Sequence, residues 1–427
     1  MKRTYHGTGA TRREGTVVVA VAVSLIALLG VISLSIDGGM LMDKRRQIQS
    51  SADAAALAAA DDMYLNWWTS RGLDANGSAA ASAKAAASAN GYTDGVDGCT
   101  VTVNIPPQSG LFAGVSGHAE VSITHVQSRY FSQVFGTQKI GYGARAVSRG
   151  RNSAINNAII LIDPTGRGAL NAGGNGSVTV TGSPIQVNST DPSAMIANGN
   201  GFLSADRFQV GGSPGWSTPG GGSFVGPIVA NSDQISDPLA LLPVPNPSAM
   251  TVRSTNKTSI SGNRTVTLQP GVYRGGVSIT GGDVTLAPGV YYMDGGGFSL
   301  GGSGNLTGSG VMIYNAPQSN SDKLELAGGG SIILSPMTSG PYQGILLFQD
   351  RTSKTPVNVS GSSGVTLNIT GTFYAPSATL NVTGNGTQQT LGSQYISYNL
   401  VLGGNGTYSC SWTADKTPGK REILLVE

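Results

Sequence analysis

The chain has 427 residues, 63 of them Gly, and only 11% are charged, against about a quarter in an ordinary soluble domain. Lys and Arg total 26 and Asp and Glu 23, a net charge of +3; the missing charge is replaced by Gly, Ser, Thr and Asn, while apolar residues stay at 39%. This excludes a highly charged disordered chain, a polytopic membrane protein, a collagen-like fibre and an electrostatic binder of nucleic acid.

Residues 1–15 form a basic tail with Lys2, Arg3, Arg12 and Arg13. Thr16 to Ile36 follows as 21 residues without a charge. At about 1.5 Å per residue that run crosses one hydrocarbon core of about 30 Å, so a single uncleaved membrane span is predicted. Lys44, Arg45 and Arg46 follow it, which leaves the charge rule for orientation nearly balanced. The Lys-poor, Asn-, Ser- and Thr-rich remainder suits the outside of a cell. The expected placement is therefore a single pass through the inner (cytoplasmic) membrane, N-terminus in the cytoplasm, with residues from 37 onward periplasmic or extracellular.

The helix should continue beyond the span, because Met40 to Tyr64 holds no Pro or Gly and Ser51 to Ala60 reads SADAAALAAA. Arg12-Arg13-Glu14-Gly15, the span, Ile36-Asp37-Gly38-Gly39 and then Arg46-Gln47-Ile48-Gln49 with Ala52-Asp53-Ala54-Ala55-Ala56-Leu57-Ala58 resemble the N-terminal region of TadG-like Flp pilus-assembly proteins. Ile48 stands where that pattern has Leu. Related pilin-like chains are cut after a Gly with Glu five residues downstream. From Gly15 that position is Ala20, and from Gly9 it is Glu14 with Arg12 and Arg13 beside the cut, so no processing is expected.

Asn76 to Gly91 reads as a second helix closed by Asn90-Gly91. Val101–Ile105, His118–His125 and Lys139–Arg149 read as strands, and Arg129–Gly136, with Tyr130, Phe131 and Phe135, as a short helix packed on them. This succession also resembles TadG-like modules, so residues 37–150 are expected to form an α+β, pilin-like unit. His118 and His125, an odd number apart, fall on opposite strand faces and are predicted to be surface residues without a metal.

Residues 151–427 change character. Gly271-Val272-Tyr273, Gly289-Val290-Tyr291, Gly310-Val311-Met312-Ile313-Tyr314, Gly344-Ile345-Leu346-Leu347-Phe348 and Gly371-Thr372-Phe373-Tyr374 repeat one pattern, and Gly-Asn-Gly turns recur at 174–176, 384–386 and 404–406. A period near 20 residues with insertions predicts a right-handed parallel β-helix-like solenoid of roughly 11 to 13 coils, about 55 Å long; a β-sandwich is the alternative. In the run Ile345-Leu346-Leu347, alternation places Ile345 and Leu347 on one face and Leu346 on the other. The Gly- and Pro-rich stretches 211–222 and 236–250 read as one loop excursion.

Chemistry is sparse. TadG-like chains can carry a von Willebrand A domain, but Asp163 and Thr165 match its metal motif only loosely and Arg167 does not. β-Helix enzymes acting on polysaccharides need clustered charges, and Asp283, Asp294, Asp322, Lys323, Glu325, Asp350 and Arg351 are thinly spread. No catalytic, cofactor or metal site is therefore expected. Cys99 and Cys410 could form a disulfide, although they lie in different modules; two thiols are the alternative. The resemblance implies a non-enzymatic, membrane-anchored protein of Flp/Tad pilus assembly, partnered by other Tad or pseudopilin components. A surface adhesin binding glycans and, more remotely, a polysaccharide-acting enzyme are the alternatives.

Overall fold

The computed structural model describes residues 14–131, 133, 136–386 and 389–427. They fall into two compact units, one drawn from residues 14–151 with 422–427 and one from residues 152–421.

The first unit is organised by α1 (Glu14–Leu65), 52 residues or about 78 Å of helix. Its first part exposes apolar side chains all round, Val17 to Ile36. The second part is amphipathic in an unusual way: its buried stripe is Ile48, Ala52, Ala55, Ala56, Ala59, Ala60 and Met63, nearly all methyl groups at helical spacing. After the single turn of α2 (Trp67–Ser70), α3 (Ser78–Ala89) lays Ala79, Ala83 and Ala87 against it. Asp74 starts α3 by accepting from the amides of Ala79 and Ala80. Gly91, at φ 89°, ends it, with Tyr92 N–H bonded to Ala87 O. The expected Asn90-Gly91 stop is thus where the sequence puts it.

The sheet order is β1 (Cys99–Asn104), β2 (His118–Gln127), β3 (Ile140–Ala154) and then the chain's last strand, Gly419–Leu425. Val121 and Ile123 of β2 face the Ala stripe. The helix comes so close to β3 that a Cβ on Gly150 would lie 2.0 Å from Ala60 O, and Ser148 Oγ donates to Ala56 O at 2.5 Å.

The second unit is a parallel β-solenoid of about 11 turns, and every strand pairing within it is parallel, which removes the sandwich alternative. Each coil contributes strands to three faces. Inward Val178 and Val180 alternate with outward Ser177, Thr179 and Thr181, and the same rule fills a lumen of Leu, Ile, Val, Phe and Tyr along the array. Coil length runs from 18 residues (Thr265 to its partner Asp283) to 35 (Ile332 to Leu367).

The coils do not stack in chain order. Beginning at Ile159–Leu161, the chain winds outward through Ile185–Val187 and Phe208–Val210 to Ile228–Val229, one end of the array. It then returns as a strap, resuming at the other end with Val252–Ser254, and winds back until its last coil lies on its first. Tyr395, Ile396 and Ser397 pair with Ile159, Ile160 and Leu161, and Thr407–Ser411 with Ser177–Thr181.

Several expectations change. Residues 211–222 belong to a coil, since Trp216–Ser217 pair with Met195–Ile196; only the later part of the excursion is the strap. The last strand joins the sheet of the first unit rather than the repeat array. A register shift between Ile345 and Leu347 breaks their alternation: Leu346 and Leu347 enter the lumen, while Ile345 and Phe348 face outward beneath the strap. Tyr130 and Phe131 are exposed rather than packed on the sheet; Phe135 lies outside the described residues.

Candidate functional surfaces

The two histidines differ: His118 is not a surface residue, and His125 is half-buried. His118 is buried, its ring stacked 4.6 Å from Phe112, and its Nε2 accepts from Arg149 Nε at 3.0 Å; burial keeps its pKa low. His125 lies between Tyr92 and Tyr142 on the opposite face. The sequence missed their aromatic neighbours because these come from other strands and loops.

It also missed an ion pair with a buried carboxylate in this unit. Glu120, 3% exposed, accepts from Ser109 Oγ, Gln108 N and Asn104 Nδ2 and from Arg145 Nε at 2.5 Å, and Arg145 also pairs with Glu427. Burial alone would raise the Glu120 pKa, but these donors outweigh it and hold it at about 2. A carboxylate whose pKa is lower in the folded than in the unfolded chain stabilises the fold above its unfolded pKa, and loses that contribution as pH falls toward the folded value. Glu120 therefore supplies about 3 kcal/mol near neutral pH, and this disappears between about pH 4.5 and 2. In detergent, the melting temperature of this unit should exceed that of Glu120→Gln at pH 6, and the gap should close as pH approaches 2.

In the solenoid, the dispersed carboxylates serve the backbone and their neighbours. Asp283 accepts from Asn305 Nδ2 at 2.8 Å, and Asp294 from Gln318 Nε2 at 3.0 Å. Asp322 caps its own turn through the amides of Gln318 and Ser319, and Asp163 caps Thr165 and Gly166. Lys323 stands beside Asp322 where the chain enters the strand Leu324–Ala327, and Glu325 sits on that strand opposite Ser299 and Asn358. Among the described residues no three His, Cys, Asp or Glu side chains converge as a metal set. Cys99 and Cys410 are free and buried, the latter with its thiol pKa pushed up to about 12 by burial.

Two of the seven charged candidates, the sequence neighbours Asp350 and Arg351, serve one group of aromatic rings, and Arg351 reaches the strap. Arg351 stands over the rings of Phe348 and Tyr374, at 5.1 and 5.6 Å, and donates to the carbonyls of Leu239 and Leu242. Tyr374 Oη donates to Asp237 and Tyr314 Oη to Asp350, both at 2.6 Å. Burial and the adjacent carboxylates raise both phenol pKa values, so both tyrosines stay protonated donors. This cluster clasps the strap to the coils. A recess of about 700 Å³ beside Leu286, Pro288, Ile333 and Leu334 is lined by one charged group, Lys416, and no carboxylate.

The recurrent Gly-Asn-Gly turns stack. Asn200 donates to Asn175 at 3.0 Å, Asn175 to Asn405 at 3.4 Å, and the amide of Asn405 to the Asn385 side chain at 3.2 Å. This ladder crosses the seam between first and last coils. A Cβ at Gly174 would meet Gly404 O at 2.5 Å, so the turn must be glycine for the coils to close up.

These features define a class: a helix long and apolar enough to cross a membrane, continuous with the core helix of a small α+β unit, in a chain that also builds a parallel β-solenoid. Residues 15–62 match the Tad family, described as Flp pilus-assembly TadE/G-like, so α1 carries a Tad-type domain. No curated protein and no solved structure matches the chain.

Proposed function

We propose that this chain is a membrane-anchored, non-enzymatic structural protein of the Flp/Tad pilus-assembly type. The first part of α1 is its single-pass anchor, the N-terminus is cytoplasmic, and the solenoid is displayed outside the cytoplasm as a spacer or adhesive surface. The observation that carries this reading is the Tad match over residues 15–62, which takes in both the lipid-length span and the Ala stripe. That stripe is already filled by α3 and the sheet, so contacts with other Tad components must use the span or the outer surfaces. The dispersal of Asp283, Asp294, Asp322 and Glu325 supports a non-catalytic role. Deleting the chain should abolish or sharply reduce pili, and the tagged chain should co-purify with Tad components. If pilation is normal and no Tad component is recovered, the pilus reading is wrong and the adhesin reading replaces it.

A further inference from the structure

Asp37 is the first charged residue beyond the apolar run Thr16–Ile36, so it marks the depth at which α1 leaves the hydrocarbon. The connection between β2 and β3 is fastened at that level: Phe131 N–H donates to Asp37 Oδ1 at 3.1 Å. On this connection Tyr130 is 57% and Phe131 53% exposed; Val126 near the end of β2 is exposed, as are Met40 and Met42, a few residues past Asp37 on α1. Water gains nothing from two exposed rings at this depth, whereas the boundary between headgroups and acyl chains favours aromatic side chains.

The charges agree. Arg129 and Lys139 flank the aromatic pair, and Lys44, Arg45 and Arg46 lie about 10–14 Å along α1 from Asp37, within reach of lipid phosphates. The acidic groups of the same stretch are Asp37, which accepts the Phe131 amide, and Asp43.

We propose that Tyr130 and Phe131, which follow β2, form a second membrane contact, inserted at the headgroup–acyl boundary of the leaflet from which α1 emerges. Arg129, Lys139 and the Lys44–Arg46 cluster meet phosphates there, favouring anionic phospholipid. The unit is then held at two points and cannot swivel freely about α1. This inference rests on the reading of α1 as a membrane span.

The test uses the full chain with Cys99→Ala and Cys410→Ala, in vesicles of phosphatidylethanolamine and phosphatidylglycerol carrying spin-labelled lipid. An environment-sensitive fluorophore is placed singly at Phe131→Cys, at Tyr130→Cys, at Leu29→Cys inside the span, and at Leu111→Cys. Leu111 is 86% exposed, in the β1–β2 connection at the far end of that hairpin. The probes at 130 and 131 should be quenched at least about twofold more by a label high on the acyl chain than by one at its end. The Leu29 probe should show the reverse depth order, and the Leu111 probe no quenching. Unquenched probes at 130 and 131 with a quenched Leu29 probe overturn the inference and leave the anchor intact, freeing the aromatic pair for a protein partner. An unquenched Leu29 probe overturns the anchor reading and the inference with it. Equal quenching at 111 and 131 overturns the inference by showing contact without a preferred face.

Discussion

Leu347→Asp should open the solenoid locally, exposing residues 340–375 to protease while residues 40–150 stay protected. Leu347 is 1% exposed in the lumen, between Ile313 on one neighbouring coil and Phe373 on the other. The lumen around it is packed with apolar side chains, so the new side chain must be buried protonated or the coil must part. Lost packing and desolvation together cost on the order of 4 kcal/mol or more. Coils depend on their immediate neighbours, so damage should start there and spread along the array. The same strand carries Ile345 and Phe348 beneath the strap, so the strap segment 236–250 should become cleavable at the same time. Thr366→Asp, at an exposed position, should be nearly silent. Loss of both units with identical kinetics would show a single cooperative globule and defeat the prediction.

Gly150→Val should have the complementary effect, loosening the first unit and sparing the second. The helix backbone at Ala60 occupies the space of any β-carbon at this position, with Ala60 O 2.0 Å and Ala60 Cα 2.6 Å from where it would sit. Backbone cannot swing aside as a side-chain tip can, so α1 must lift from β3. The lift breaks the Ser148–Ala56 hydrogen bond and unpacks the Ala stripe, whose methyl groups hold only at close range. The expected loss is about 3 kcal/mol or more, read as faster hydrogen exchange in residues 48–63 and in β3. Gly141→Val on the same strand has nothing within 4 Å of the new β-carbon and should leave exchange unchanged. Equal effects at both positions would assign the loss to strand glycine in general rather than to the helix contact.

The elements that the sequence announces are those set by local chemistry. The apolar part of α1 is legible because 21 residues run without a charge, α3 because Asn90-Gly91 supplies its stop, and the coils because inward and outward residues alternate between Gly-rich corners. Coil order is not legible. Every coil offers its neighbours the same generic apolar layer, so nothing in residues 159–161 says that 395–397 will lie on them. Near-identical motifs even mislead: the first two Gly-Val-Tyr copies lie on adjacent coils but two residues out of register, with Gly271 opposite Tyr291 and the Tyr273 and Tyr291 rings stacked. The Gly-Asn-Gly turns are the exception, because side-chain hydrogen bonds between successive asparagines make their register explicit. The roles of Asp350 and Arg351 were hidden for another reason. Asp350 holds Tyr314 of the preceding coil, and Arg351 holds strap carbonyls that become its neighbours only after the chain has crossed the array.

The return of the last strand to the sheet of the first unit has a mechanical consequence. The solenoid sequence is bracketed by β3 and by that strand, which are neighbours in one sheet, so tension applied to the solenoid divides between two peptide connections. The load then reaches adjacent strands instead of a single linker. Arg149 and Arg151 both grip Glu422 at 2.9 Å across those strands, resisting any slip of one past the other. If α1 is the proposed membrane anchor, force on the solenoid would reach it through this doubled joint.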